Sequence, residues 1–415
     1  MTGTGGQGGE APLRVLADEN MPGVEACCAH LRQGDGASVA MEIRRLPGRT
    51  LTAADVADAD VLLVRSVTRV DAALLAAGRV RFVGTATIGT DHLDLDWLAQ
   101  AGIAWSSAPG CNARAVGEWV LATVLRRAAA EGVALAGRTL GIVGLGHVGR
   151  EVARLARIVG LRVLACDPFL ASTDLPADLA GVPLLALDAL LAEADIVSVH
   201  VPLTRGGEHP TFHLFDAAML ARLRPGAWLV NAARGEVIDN RALLACLSSP
   251  APDRPVAMLD VWEGEPLPDA ALMALVAQAS PHIAGHSLEG KWRGTWQIVA
   301  AAARHLGLRF EVPLVDLLPP EGACSLELPP AAGAAGPATP EQRLAHLLSG
   351  VIDLAGDDAR LRAVRVADVP AAGFDGLRKA YPVRREFPAH RVHGEAGKFA
   401  DDPLRSVLIS LGFCC

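Results

Sequence analysis

The sequence predicts an α/β chain built around a parallel sheet of the Rossmann type, with a second α/β unit placed before it. Three observations predict this. The stretch 139–149, TLGIVGLGHVG, runs from an apolar segment (Thr139 to Val143) into Gly144, Gly146 and Gly149 at G-x-G-x-x-G spacing. Residues Arg150 to Val159 then carry an amphipathic helical pattern, with Val152, Leu155, Ala156 and Val159 on one face. A second apolar run, Leu161 to Cys166, ends in Asp167, roughly 20 residues beyond the glycines. Gly144 permits a tight turn, Gly146 lets backbone approach a pyrophosphate, and Gly149 lets the helix pack close to the strand. His147 and Val148 complete the turn, and the helix N-terminus offers free N–H groups to phosphate. A carboxylate at Asp167 accepts from both ribose hydroxyls and repels a 2′-phosphate, so NAD is favoured over NADP. The plain alternative is a glycine-rich turn that holds no nucleotide.

Bulk properties bound the rest. At 415 residues the chain has room for two or three domains with their own cores. Half the residues are apolar, yet no uninterrupted run reaches membrane-spanning length. The N-terminal MTGTGGQGGEAP has no basic region followed by an apolar core and reads as a flexible tail over residues 1–12. A formal net charge of −8, without a basic block, argues against nucleic-acid binding. The eight cysteines form no C-x-x-C pair, and no Cys/His spacing fits a zinc site, so no metal is expected and reduced thiols in a cytoplasmic protein are the default.

Taken in order, PLRVLA (12–17), VLLV (61–64), VRFV (80–83) and Ile103 to Ser106 read as strands, with helical segments at Thr52 to Ala59 and Asp71 to Ala77. Their C-terminal ends carry Arg65, Ser66, Thr87 and Gly89, and ligands of open α/β sheets sit at that edge. Hydroxyls, backbone N–H groups and a guanidinium suit an anionic substrate. A helix from about Ala113 to Arg127 leads into the glycine motif. Beyond it come a helix at 184–195, a strand at 196–202, a short helix from Asp216 to Leu223, a strand at 227–234, a helix from Arg241 to Leu247, a strand at 256–262 and a helix from about Leu288 to Leu306. From Leu308 onward Pro-rich and Ala/Gly-rich stretches flank a strand at Cys324 to Leu328. Helices at about Glu341 to Leu354, 374–381 and Ser406 to Leu411, and a strand-like RVAD segment, complete a module read as dimerising or regulatory. No internal repeat is present.

Three residues fall at or just beyond strand ends of the dinucleotide unit: Arg234, Glu265 and His282. Oxidising a 2-hydroxy acid with NAD needs a cation to hold and polarise the carboxylate, a base for the hydroxyl proton, and a group that tunes the base. Arg234 suits the first through its bidentate fork. His282 suits the second because imidazole changes charge near neutral pH. Glu265 suits the third, orienting the imidazole and stabilising its cation. Each alone has an ordinary reading, as a turn clamp, a solvated acid or a packed histidine; together they share the sheet edge that the cofactor must occupy.

The chain resembles the D-isomer-specific 2-hydroxyacid dehydrogenases, from about Leu13 to Phe413. The resemblance is carried by LADENMP (16–22), VRSVTRV (64–70), FVGTATIGTDHLD (82–94), SAPGCNARAV (107–116), GIVGLGHVGR (141–150), CDP (166–168), NAARGEVIDN (231–240), LDVWEGEP (259–266), HIAGHSLEGKWRGT (282–295) and FDGLRKAYPVRREF (374–387). It implies a flavodoxin-like substrate domain of residues 13–112 and 286–305, a Rossmann NAD domain of 113–285, and a small α+β dimerisation domain of 306–415. It implies that Arg234, Glu265 and His282 are catalytic, with His282 the proton donor and acceptor. Ser66 and Thr87 fall on substrate positions, with Arg65 near a phosphate, and Asp167, Ala232, Ala233, Arg234, Asp260 and Gly285 fall on NAD positions. Two positions depart from the family pattern: His286 stands where a substrate-contacting Tyr is usual, and Val201 where a cofactor-bonding Thr is common. The implied substrate is a phosphorylated 2-hydroxy acid, 4-phospho-D-erythronate, oxidised by a cytoplasmic homodimer with no membrane or nucleic-acid partner. The alternatives are another acid, of the phosphoglycerate or hydroxypyruvate type, and an NAD-sensing binding protein.

Overall fold

A computed structural model describes residues 11–320, 322–333, 336–364, 370–395 and 398–415. The expected tail at 1–12 and the RVAD segment lie almost wholly outside the described residues. The chain divides into two compact units, Met1–Asn112 with Glu289–Pro319, and Ala113–Leu288 with Pro320–Cys415.

The first unit holds five parallel strands, β1 (Leu13–Asp18), β2 (Met41–Leu46), β3 (Val61–Val64), β4 (Phe82–Thr85) and β5 (Ala104–Ser106), in the order β2-β1-β3-β4-β5. That is the flavodoxin-like order. Strands β3 and β4 are buried along their whole length, as parallel strands covered on both faces must be. The helix Leu288–His305 supplies Ile298, Val299, Ala302 and Ala303 to the core beside Val15, Val61 and Phe82. Gly84 makes that packing possible, because a Cβ there would lie 3.0 Å from Ile298. Strand β2 was not expected. It is a half-buried edge strand bearing Glu42, Arg44 and Arg45, and Arg44 is tied to Asp58 at 2.5 Å. Strand β4 begins two residues later than the apolar run suggests, because Thr85 pairs with Val64.

The second unit contains β6 (Thr139–Val143), β7 (Arg162–Cys166), β8 (Ile196–Val199), β9 (Trp228–Asn231), β10 (Val256–Leu259) and β11 (Gln278–Ala279), all parallel, in the order β11-β10-β9-β8-β6-β7. A single parallel bridge from Ala165 to Leu184 adds a vestigial strand outside β7. With that bridge counted third, the order becomes 3-2-1-4-5-6-7, the Rossmann arrangement with β11 added at its far edge. The helix expected over 184–195 therefore starts only at Leu187 and ends at Glu193, since Pro183 O and Leu185 N are engaged by Ala165. The helix His147–Ile158 starts at the glycine turn itself, three residues before the amphipathic pattern becomes visible.

The C-terminal segment groups with this second unit from Pro320 onward. Strand β12 (Cys324–Glu327) pairs in parallel with a later strand at His390–His393, and β13 (Ala332–Gly333) pairs antiparallel with β14 (Gly336–Pro337). The helix Pro340–Ser349 is launched by a Thr339/Gln342 capping box and by proline in its first turn. Its Leu344, Leu347 and Leu348 share a core with Val120, Leu121 and Val124 of the helix Ala113–Glu131. That shared core is the physical reason why residues 320–415 do not separate from the dinucleotide unit. The helix expected over 341–354 ends at Ser349, a separate helix runs Leu354–Val364, and the later ones occupy Pro370–Lys379 and Pro403–Ser410.

Candidate active site

The glycine turn has the geometry that the motif requires. Gly144 sits at φ +92°, and a Cβ there would lie 2.8 Å from the His200 backbone and from Val201 Cγ1. A Cβ on Gly149 would strike the Gly144 carbonyl oxygen. Gly146 is different: a Cβ there meets nothing within 4 Å, and it precedes a twelve-residue helix that no side chain caps. Open backbone over an uncapped helix N-terminus, flanked by exposed His147 and half-buried Val148, is a cradle that fits a pyrophosphate. Asp167 at the end of β7 accepts from Leu145 N at 2.9 Å and from Phe169 N at 3.1 Å. The same carboxylate expected at a ribose thus also braces the glycine turn. Val201 has no hydroxyl to offer and packs beneath Gly144.

Strand β9 delivers Arg234 through a turn shaped by Asn231. The buried Asn231 amide donates to Arg234 O at 2.9 Å, and its Oδ1 accepts from Ala233 N at 3.0 Å. Ala232 and Ala233 line the half-buried turn, and Arg234 Nη1 donates to Ala233 O at 2.8 Å. The next residue brings a second loop alongside. A Cβ on Gly235 would collide with the Trp262 carbonyl group and Glu263 N, all backbone atoms. Asn240 stitches the two loops, accepting from Glu263 N at 3.2 Å and donating to Ile238 O at 2.8 Å, while its own N–H donates to Glu263 Oε2 at 3.2 Å.

Beyond β10, Glu265 and His282 meet. His282 Nδ1 lies 2.8 Å from Glu265 Oε2, and Glu265 Oε1 accepts from Trp262 N at 2.9 Å. Burial raises the Glu265 pKa, but the His282 charge, the His282 hydrogen bond and the Trp262 N–H outweigh it and hold the carboxyl below its ordinary value. With Nδ1–H donated to an ionised Glu265, the neutral imidazole carries its free lone pair on Nε2. His282 adopts φ +56°, a left-handed conformation that a non-glycine residue keeps only when its surroundings enforce it. Asp260 does much of the enforcing. It is fully buried, and its oxygens accept from Ser280 Oγ at 2.6 Å, Ile283 N at 2.8 Å and Ala284 N at 2.9 Å, while its carbonyl accepts from His282 N at 2.7 Å. Asp260, expected among NAD contacts, also shapes the loop that carries His282.

Gly285 and His286 follow on the same loop, both half-buried. The His286 ring stands edge-on to Tyr381, with centroids 5.8 Å apart. His200, at the end of β8, is hydrogen-bonded to Ser198 Oγ at 2.8 Å, and burial pushes its imidazole down to about 3, so it stays neutral.

In the first unit, Arg65 and Ser66 follow β3, half-buried and exposed respectively, and Thr87 follows β4. The Thr87 hydroxyl donates to Gly89 O at 3.0 Å and lies 2.8 Å from Thr85 Oγ1, which is 2.9 Å from His92 Nε2. The Gly89 carbonyl, an obligate acceptor, orients the Thr87 hydroxyl, and Thr85 and His92 continue the chain behind it. His92, Asn231, Asn240 and Ser280 gain their roles only from their neighbours in space. The one sequence signal was the position of Asn231, a polar residue closing an apolar strand three residues before the arginine.

A Rossmann-type NAD domain with an arginine and a Glu–His pair on its strand-end loops defines an NAD-dependent 2-hydroxyacid dehydrogenase. Residues 111–284 match the family described as D-isomer specific 2-hydroxyacid dehydrogenase, NAD binding domain, and residues 331–407 match a domain of unknown function, DUF3410. The relative from Pseudomonas putida (strain GB-1), named erythronate-4-phosphate dehydrogenase, is 49% identical over 94% of this chain and 97% of its own length. The protein of the same name from Azotobacter vinelandii is 49% identical over 96% and 99%. Among solved structures, the TT0316 protein from Thermus thermophilus is similar with a TM-score of 0.58 and 29% identity, over 71% of this chain and 97% of that one. A D-lactate dehydrogenase from Aquifex aeolicus, solved with NAD and lactic acid, shares the fold with a TM-score of 0.56 and 23% identity, over 71% of this chain and 96% of that one. The chain belongs to the D-isomer-specific 2-hydroxyacid dehydrogenase family, in its erythronate-4-phosphate dehydrogenase branch.

Proposed function

We propose that this protein oxidises 4-phospho-D-erythronate to (R)-3-hydroxy-2-oxo-4-phosphooxybutanoate with NAD, a step in making vitamin B6. The observation that carries the reaction type is the 2.8 Å pairing of His282 Nδ1 with Glu265, which leaves Nε2 as the base. The substrate assignment rests on the branch to which the relatives belong.

Arg234 holds and polarises the substrate carboxylate. His282 Nε2 takes the proton of the C2 hydroxyl, and Glu265 stabilises the imidazolium that forms. NAD, when bound over residues 144–149 with Asp167 at its ribose, supplies the hydride acceptor. Ala232, Ala233 and Gly285 would help to hold it. Ser66, Thr87 and Arg65 bind the substrate, with the hydroxyls and guanidinium directed to its phosphate. His286 replaces a tyrosine with a shorter donor at the same task. The protein works in the cytoplasm as a homodimer that uses the C-terminal segment. No helix among the described residues is long and apolar enough to cross a membrane.

The test is NADH formation from 4-phosphoerythronate against 3-phosphoglycerate and hydroxypyruvate-type acids. A preference for 3-phosphoglycerate would remove the specific substrate and leave the reaction class. The variant His282→Ala should lose on the order of 10²–10⁴-fold in kcat and still bind NAD; parental turnover would rule His282 out as the base.

A further inference from the structure

The segment 381–387 of the C-terminal region buries the wrong residues for a simple packing element. Arg384 and Glu386 are each 4% exposed, while Val383 between Pro382 and Arg384 is 77% exposed. Hydrophobic burial alone would place them the other way round. The buried charges face the loop that bears His282. Arg384 Nη2 donates to Ala284 O at 2.6 Å and to Ala115 O, in the helix Ala113–Glu131, at 3.0 Å. Leu288 N donates to Arg384 O at 2.8 Å, and Ser287 Oγ donates to Glu386 Oε1 at 2.9 Å. Phe387 N donates to Glu118 Oε1 at 2.8 Å, fastening the segment to the same helix.

We infer that this segment is a clamp on the catalytic loop, with Arg384 as its positioning residue. Ala284 is then gripped from both sides, its N–H by Asp260 and its C=O by Arg384. His282, two residues earlier, sits at φ +56° next to the position so fixed. The C-terminal region thereby gains a role in turnover that its match to a domain of unknown function does not state. Arg384 touches none of the reacting groups, so its effect falls on the alignment of His282 and not on affinity.

This inference rests on the reading of His282 as the base, and two readouts keep the ideas apart. The first is amide hydrogen exchange of residues 282–288 in the full-length protein with NAD. The second is steady-state kinetics with 4-phosphoerythronate. In Arg384→Ala, exchange of the loop should quicken roughly tenfold or more and kcat should fall on the order of tenfold to a hundredfold, with KM little changed. Arg384→Lys, which keeps a donor for Ala284 O, should restore part of both. Ser287→Ala removes one tie without stripping a buried charge, and should show the same pattern more weakly if Arg384→Ala fails to fold. Unchanged exchange in folded Arg384→Ala would overturn the clamp, as would a rise in KM at constant kcat, which would make Arg384 a substrate contact. Faster exchange with parental kcat would overturn the role in turnover, whereas parental kcat in His282→Ala would overturn the reading of His282 on which the inference rests.

Discussion

Replacing Gly235 by alanine tests the close approach that brings the Arg234 turn beside the Glu265 loop. A Cβ built on Gly235 lands on the Trp262 carbonyl group and Glu263 N, well inside the 3.0 Å that real Cβ contacts essentially never breach. All three atoms are backbone, so no side chain can swing away. The loops must part by roughly 1 Å, a displacement that costs on the order of 10²-fold in rate when reacting groups are involved. The same opening strains the two Asn240 bonds that join the loops. Overpacking of this kind typically costs about 1–3 kcal/mol of stability. The expected outcome for Gly235→Ala is therefore a lower melting temperature together with a fall in kcat, measured by thermal unfolding and by NADH formation. A variant with parental kcat and parental melting temperature would refute the claim that this contact sets the site.

Two further outcomes follow from other positions. Gly146→Ala meets nothing within 4 Å at an ordinary φ of −73°, so its melting temperature should match the parent while NAD affinity falls roughly tenfold, because only an approaching pyrophosphate would meet the new methyl; unchanged affinity by titration would place the cofactor elsewhere. Glu118 is fully buried; its burial raises the carboxyl to about 8, against the Arg114 charge and with Glu386 adding to the rise. Between the ordinary value of 4.5 and about 8 the folded state keeps a proton that the unfolded state has released, so stability falls as pH rises through that window. Glu118→Gln has no such proton to lose, and its stability should gain on the parent by up to ~1.4 kcal/mol per pH unit from pH 5 to 8. Parallel denaturation curves across that range would show that Glu118 is ionised in the folded protein.

Much of the fold was legible because parallel strands buried on both faces leave uninterrupted apolar runs, as at Val61–Val64 and Ile196–Val199. The elements that escaped lack that signature. Met41–Leu46 is an edge strand with charges on it, and Leu184 belongs to a strand reduced to one bridge whose leucines continue into a helix. The C-terminal grouping escaped for another reason: which apolar face Leu344, Leu347 and Leu348 cover is a property of the partner helix and not of their own spacing.

For this protein the local chain alone pointed to the cofactor class and to the proposed reacting groups. A glycine turn, an acid at a strand end, an arginine and a histidine each express their chemistry through residue type and short-range spacing. The tertiary structure alone decided how those groups are arranged. The 2.8 Å contact between Glu265 and His282, the left-handed backbone at His282 and the grip of Asp260 and Arg384 on Ala284 all depend on loops from separate strands meeting. Hydrogen bonds vanish over less than an ångström of displacement, whereas sequence spacing constrains such loops only to several ångströms.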